Sequence, residues 1–472
     1  MSGHMTPEQF RRHGREVIDW IADYYERLEQ LPVLSAVEPG DIRAALPAQP
    51  PATGEPFEAL LRDLDEAILP GITHWQHPSF FAYFPANASG PSILGDLLAS
   101  GMGAQGMLWS TSPAATELET HVLDWLAALL DLPARFRSDD TGGGVIQHSA
   151  SDSALVALLA ALHRASGGRT EHEGVGSGGY RVYASTQTHS SLMKACRIAG
   201  LGSDAVRAID VDPATLAARP EHLRALIAED VAAGLRPTLV VATVGTTSTG
   251  AIDPVAELAA IAREHGAWTH VDAAWAGVAA VAPELRFVNA GLELVDSMST
   301  NPHKWLLTNF DCTAFWVADR APLLGALSIL PEYLRNPATD AGAVLDYRDW
   351  HVPLGRRFRA LKLWAVLRWY GADGLAEHVR GHVALAQQLA HWIAGDDRFE
   401  IAAPHPLALV CFRLRAGDDA TRALMDALNR SGEAFLTHTV VNDRLILRVA
   451  IGSPQTQLRH VEALWAQLRS LA

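Results

Sequence analysis

Lys304, in SMSTNPHKWLL, follows a predicted strand and sits between His303 and Trp305. A lysine in an apolar setting loses the hydration of its ammonium, so its pKa falls and its free amine can form a Schiff base with an aldehyde. A surface lysine with a buried stem is the alternative. Asp272 ends the apolar run of WTHVDAAWAG, which puts a carboxylate at the carboxyl edge of a parallel sheet, where such folds place ligands. A helix N-cap would read the same way. The spacing between them, 304 − 272 = 32 positions, leaves room for a crossover helix and a further strand, so both groups can face one site. In TGGGVIQHSASDSALVALLAALHR, a glycine-rich turn and a strand lead through Ser149, Ala150 and Ser151 into an amphipathic helix. Ser151 or Asp152 is expected to cap that helix, and its first-turn N–H groups, with serine hydroxyls beside them, suit a phosphate.

A phosphate anchor, an acid and an imine-forming lysine together describe a site for pyridoxal 5′-phosphate. The elements that must position them are short β-branched runs alternating with helical periods over residues 90 to 320. The predicted strands are 144–147, 180–185, 238–245, 268–274 and 312–318. Such alternation predicts crossover units and a mostly parallel α/β sheet. Amphipathic helices at 7–30 and 57–68 open the chain around a proline-rich connection, with little core of their own, and are expected to pack on a partner subunit or on the domain that follows. Strands at 409–415 and 444–451, each followed by a helix, predict a small α/β domain at the end. The resulting division is 1–89, 90–375 and 376–472. A stretch of about 331–346, without apolar period, reads as a mobile loop able to act as a lid.

Composition narrows the function. Lys plus Arg is 38 against 53 Asp plus Glu, a formal charge of −15, which opposes binding to nucleic-acid or membrane phosphates. Charged residues are only 19%, which predicts surface buried between subunits. Cys196, Cys312 and Cys411 form no metal or disulfide spacing, and no run is long and apolar enough for a membrane span or a secretion signal, so a reducing cytosol is expected. The stretch Gly174 to Gly179 has GxGxxG spacing but precedes a strand instead of following one, and reads as a plain loop. Asn87-Ala88-Ser89 matches a glycosylation sequon and, without a secretion signal, carries no functional reading.

NPHKWLLTNFDC, HVDAAWAG, THSS from Thr188, SPAATELE from Ser112 and PLGRRFRALKLW from Pro353 together resemble the group II pyridoxal-phosphate amino-acid decarboxylases, closest to the aromatic-L-amino-acid branch. The resemblance runs from the opening helix to the final domain. It implies the aspartate aminotransferase-like fold (pyridoxal-phosphate fold type I) and a homodimer with shared active sites. Lys304 would hold the cofactor, Asp272 would pair with its pyridinium nitrogen, and His189 would stack on its ring. Ala150, Ser151 and Asn301 match phosphate contacts, with Ser149 nearby; His303 is expected among the cofactor-binding residues, and Thr246 or Thr247 offers a hydroxyl to the phenolic oxygen. Tyr333, in the loop, matches the tyrosine that returns a proton after decarboxylation. Relatives that release aldehyde typically carry phenylalanine there.

Substrate contacts implied by the resemblance are Trp75, Tyr83, Phe84, Pro85 and Ala86, with Gln105 and Met107 coming from the second subunit. Gly355 matches the glycine of aromatic decarboxylases, where histidine decarboxylases carry serine. Gln105, Met107, Ala86, Trp275 and His148 depart from the usual residues. The expected reaction is decarboxylation of an aromatic L-amino acid (tyrosine, DOPA, tryptophan or phenylalanine) to the arylalkylamine and carbon dioxide. The alternatives are an aromatic aldehyde synthase, a decarboxylase of histidine or an acidic amino acid, and a catalytically silent scaffold.

Overall fold

The β-branched runs assemble into a seven-stranded sheet. The computed structural model describes residues 4–176, 179–329 and 344–472. Within them β1 (Gly143–Gln147), β2 (Tyr180–Ser185), β3 (Val206–Ile209), β4 (Arg236–Thr243), β5 (Trp268–Asp272), β6 (Ser297–Thr300) and β7 (Thr313–Val317) pair in the order β1-β7-β6-β5-β4-β2-β3. Neighbours from β3 through to β6 are parallel, while β7 runs against both β6 and β1. Every residue of β1, β6 and β7 is buried, as expected of a sheet covered on both faces.

Two of these strands escape the periodicity. β3, VRAI, is short and carries a charge, and β6, SMST, is small and polar. Both are strands because an existing edge offers them a ladder: β6 pairs with β5 at Ser297↔His270 and with β7 at Ser297↔Val317. The crossover helix expected between Asp272 and Lys304 is replaced by three 3₁₀ helices, Ala276–Val281, Pro283–Asn289 and Leu292–Leu294. Pro283 ends the first run, and its small side chains (AGVAAV) are all buried, so a tight path suffices.

β8 (Phe399–Ile401), β9 (Leu409–Leu414), β10 (Thr437–Val441) and β11 (Arg444–Ala450) form a second, antiparallel sheet in the order β10-β11-β9-β8. The helices Asp418–Ser431 and Leu458–Leu471 accompany it. A long helix, Ala360–Ala394, runs through the expected boundary at 375/376 and departs from helical geometry only at Gly371, where φ is 64°. The opening segment does not rest only on the domain that follows it. Val33 N–H donates to the Gly432 carbonyl at 2.9 Å, and Phe81 N–H to that of Phe435 at 3.1 Å. The Phe81 carbonyl accepts from Ala450 N–H at 2.9 Å. The closing domain therefore gives residues 33 and 81 the backbone partners they would lack on a bare hydrophobic face. Among the described residues no helix is long and apolar enough to cross a membrane. The expected loop at 331–346, with Tyr333, falls largely outside the described residues, as does part of the Gly174–Gly179 stretch.

A buried ion pair joins the segment after the loop to the sheet. Glu119, on the helix Pro113–Leu129, accepts both terminal nitrogens of Arg356 at 2.6 and 3.0 Å and the N–H of Ile146 in β1 at 2.8 Å. Removing one member leaves the other charge buried without its partner, which costs about 3–5 kcal/mol. Glu119→Ala should lower stability to chemical denaturation by that amount. A loss under about 1 kcal/mol would show that water replaces the pair.

Candidate active site

The carboxyl ends of β2, β4, β5 and β6 lie side by side, and each delivers one group to the same edge. Asp272 is the last residue of β5, with its Oδ1 accepting Ala274 N–H at 3.1 Å. Lys304 lies in the one-turn helix Pro302–Trp305, begun just past β6. His189 follows β2, and Thr247 follows β4 through Gly245, whose φ is 81° and where a Cβ would meet Trp275 Cε2 at 2.9 Å. Only glycine suits that turn. Lys304, His189, Thr247, His303 and Arg448 line one cavity of about 310 Å³, closed on its other side by Trp75, Tyr83, Phe84, Ala86, Trp275 and Phe310.

Burial lowers the Lys304 pKa below the ordinary lysine value; the Asp272 carboxylate opposes the shift and the Arg448 guanidinium adds to it. The net direction favours the free amine that imine chemistry needs. Desolvation also lowers the His189 pKa, against the attraction of Asp272 and with repulsion from Lys304. His189 Nδ1 accepts Ser191 N–H at 3.2 Å, so a neutral ring carries its proton on Nε2. Burial, helped by Lys304, pushes His303 down to about 3. Its Nδ1 accepts from Cys312 N–H at 3.0 Å.

The helix Ala150–Ser166 begins just past β1, at the same edge of the sheet. Its N-cap is Ser149 and not Ser151 or Asp152, because Ser149 and Asp152 close a reciprocal capping box. The Ala150 and Ser151 amides precede any acceptor the helix can offer, which leaves them available to an anion. Asn301, also buried, donates its backbone N–H to Ala274 O at 2.8 Å, and its Oδ1 has no partner among the described residues. Free first-turn amides, a lysine whose pKa burial lowers and a strand-end carboxylate fit pyridoxal 5′-phosphate. His148, just before the cap, has its Nδ1 3.8 Å from Asp152 and its ring 6.4 Å from that of His351.

The two threonines after β4 separate cleanly. Thr246 is fully buried, bonded through Oγ1 to Thr249 Oγ1 at 2.9 Å and to Ala251 N–H at 3.0 Å, while Thr247 lines the cavity. In the aromatic wall Trp75 stacks on Tyr83 with centroids 5.5 Å apart, and Phe84 on Trp275 at 4.6 Å. Pro85 does not line the cavity; it is buried against Gly452, where a Cβ would approach its Cδ to 3.0 Å. Gln105, Met107 and Gly355 also lie off it: Gln105 Oε1 accepts Arg356 N–H at 2.7 Å and the Met107 carbonyl accepts Arg348 N–H at 3.0 Å. Gln105 and Gly355 are exposed.

Arg448 is the site residue that sequence reasoning misses. It donates to Ser248 O at 2.9 Å, Thr437 Oγ1 at 3.1 Å, Tyr83 O at 3.1 Å and Thr247 O at 2.5 Å, with no carboxylate partner among the described residues. The signal was an arginine inside the apolar strand RLILRVAI, a position that buries a cation. Phe310, in NPHKWLLTNFDC, also lines the cavity, its ring centroid 4.6 Å from that of His303.

A family model described as the pyridoxal-dependent decarboxylase conserved domain matches residues 39–415. The chain is 48% identical to a phenylacetaldehyde synthase of Arabidopsis thaliana, over 98% of this chain and 95% of that protein. It is 46% identical to tryptophan decarboxylase 2 of Oryza sativa subsp. japonica, over 99% and 95%. The structure of Oryza sativa TDC with PLP and tryptamine superposes with a TM-score of 0.97 at 44% identity, covering 100% of this chain and 99% of that one.

Because the shift at Lys304 is downward, its amine should be deprotonated at a lower pH than a free lysine. In the cofactor-free protein, the rate of imine formation with pyridoxal 5′-phosphate should rise with pH and level off with a midpoint below 10.5, the unshifted value. A midpoint at or above it would mean that the ammonium is not desolvated.

Proposed function

This chain belongs to the pyridoxal-dependent decarboxylase family, and on that premise we propose that it removes the α-carboxylate of an aromatic L-amino acid, giving an arylalkylamine and carbon dioxide. When bound, pyridoxal 5′-phosphate supplies an electron-poor ring that takes up the electron pair left by the departing carboxylate. Lys304 would hold the cofactor through its amine. Asp272 would pair with the pyridine nitrogen and favour its protonated form, and His189 would stack on the ring. Ala150, Ser151 and Asn301 would bind the phosphate, with Ser149 shaping the helix start, and Thr247 would offer a hydroxyl to the phenolic oxygen, with His303 also lining the cavity.

The observation that carries the aromatic substrate is the wall of Trp75, Tyr83 and Phe84 in the same cavity as Lys304. A flat ring gains from such a surface, and a side-chain carboxylate would be desolvated there. Arg448 offers such a carboxylate little, since four of its five N–H donors go to carbonyl and hydroxyl oxygens.

The working unit is a homodimer. The helix Gly90–Met102 leaves Leu94, Leu97, Leu98 and Met102 exposed along one side, an apolar face that a second copy would bury. Gln105, Met107 and Gly355 then complete the partner's substrate pocket, which accounts for their place outside their own cavity. Three buried, free cysteines suit a reducing compartment such as the cytosol.

The likeness to an aldehyde synthase makes that reaction the second reading. The presence of Tyr333, taken from the sequence, favours the amine.

Incubation with tryptophan, tyrosine, DOPA, phenylalanine, histidine and glutamate should give amine, without stoichiometric peroxide, from at least one aromatic substrate. A preference for histidine or glutamate, or aldehyde as the main product, would contradict the reading. Tyr333→Phe should divert product toward aldehyde, ammonia and peroxide without loss of cofactor; amine formed at the unmutated rate with no oxygen uptake would remove Tyr333 from the reaction.

At Gly355 an added Cβ meets only Gln105 Nε2, at 3.5 Å, so serine fits without disturbing its own chain. Gly355→Ser should lower kcat/KM for tryptophan relative to tyrosine by roughly 10–200-fold, the range for one or two heavy atoms in a pocket. An unchanged ratio would place residue 355 away from the ring.

A further inference from the structure

The Asn87-Ala88-Ser89 triplet has a use unrelated to glycosylation. Asn87 is 1% exposed, and all its polar atoms but the carbonyl are spent, on the His303–Leu307 turn and on Gly452. Its backbone N–H donates to the His303 carbonyl at 2.7 Å, its Oδ1 accepts Leu307 N–H at 3.1 Å, and its Nδ2 donates to the Gly452 carbonyl at 2.7 Å. Ser89 Oγ donates to the Leu307 carbonyl at 2.6 Å. The amide nitrogen a glycan would occupy is therefore buried and bonded.

These bonds bracket the turn from His303 to Leu307, which has Lys304 near its start. Leu307 has φ 53°, a left-handed conformation that is costly for a side chain of this size and persists only when its surroundings hold it. Asn87 and Ser89 take both its N–H and its carbonyl. Asn87 also directly follows the wall segment Tyr83–Ala86, and through Gly452 it reaches the chain just after β11, the strand that carries Arg448. One side chain thus ties the lysine turn, the aromatic wall and the closing domain together.

We propose that Asn87, assisted by Ser89, is a positioning residue for Lys304, fixing where its amine stands relative to Asp272 and the wall. This rests on the reading of Lys304 as the cofactor lysine. A misplacement of about 1 Å in such a site is worth on the order of 100-fold in rate, so loss of the clamp acts on turnover more than on substrate binding.

The test compares purified holoenzyme of the unmutated protein with Asn87→Ala, Ser89→Ala, Ser89→Thr and a control, Asn289→Ala. Asn289 caps the Leu130 carbonyl at 2.6 Å, away from the cavity. The readouts are the pH midpoint of the cofactor's visible absorption band, kcat and KM for amine formation, and the thermal midpoint.

Asn87→Ala should lower kcat by about 10–100-fold with KM changed less than about 3-fold, and move the spectral midpoint. Ser89→Ala should do the same to a smaller extent and Ser89→Thr should restore it, while Asn289→Ala moves only the thermal midpoint. Should Asn87→Ala fail to fold, the two Ser89 variants decide the matter. An Asn87→Ala enzyme with unmutated kcat and spectral midpoint, or one changed no more than the control, overturns the clamp. An unmutated protein without any visible cofactor band overturns the reading of Lys304 beneath it.

Discussion

An ammonium cannot be buried cheaply, and that constraint orders the whole site. Lys304 must stay close to a carboxylate without being locked to it as a salt bridge, and in surroundings poor in water, so that its amine remains a nucleophile. The structure meets this by putting Asp272 on the neighbouring strand and a second cation, Arg448, within electrostatic reach. Arg448 can remain there because its own charge is solvated by four oxygens of the protein, from Tyr83, Thr247, Ser248 and Thr437.

The fold then follows as a way of gathering such groups from distant parts of the chain. Parallel strands deliver their carboxyl ends to one edge, so residues from 189 to 304 become neighbours without any long loop. The small antiparallel sheet contributes Arg448 and anchors the wall segment through the bonds of Phe81 and Tyr83. The opening helices matter to the chemistry chiefly because they lead into that wall.

Much of this was legible in the sequence, and the gaps have physical reasons. Asp272 and the helix after Ser149 announce themselves because each sits on a local pattern, the end of an apolar strand or a serine-led start before an apolar period, although the cap falls on Ser149 and not on Ser151 or Asp152. β6 gave no such pattern, since SMST becomes a strand only through β5 and β7, its partners on either side. Arg448 and Asn87 were out of reach for a related reason: apart from the bond of Arg448 to Thr437, their side-chain hydrogen bonds go to residues between 200 and 365 positions away, and periodicity cannot see them. The parting of Thr246 from Thr247 likewise depends on a turn in which Thr246 turns back to Thr249 and Ala251.

The chain has only three lysines, Lys194, Lys304 and Lys362, which makes the central assignment easy to check. Lys194 is exposed, and Lys362 is fully buried and does not line the cavity. Borohydride reduction of the holoenzyme, followed by peptide mapping, should find the phosphopyridoxyl mass on the peptide containing Lys304 and on neither of the others. Label on Lys194 or Lys362, or none at all, would contradict the account.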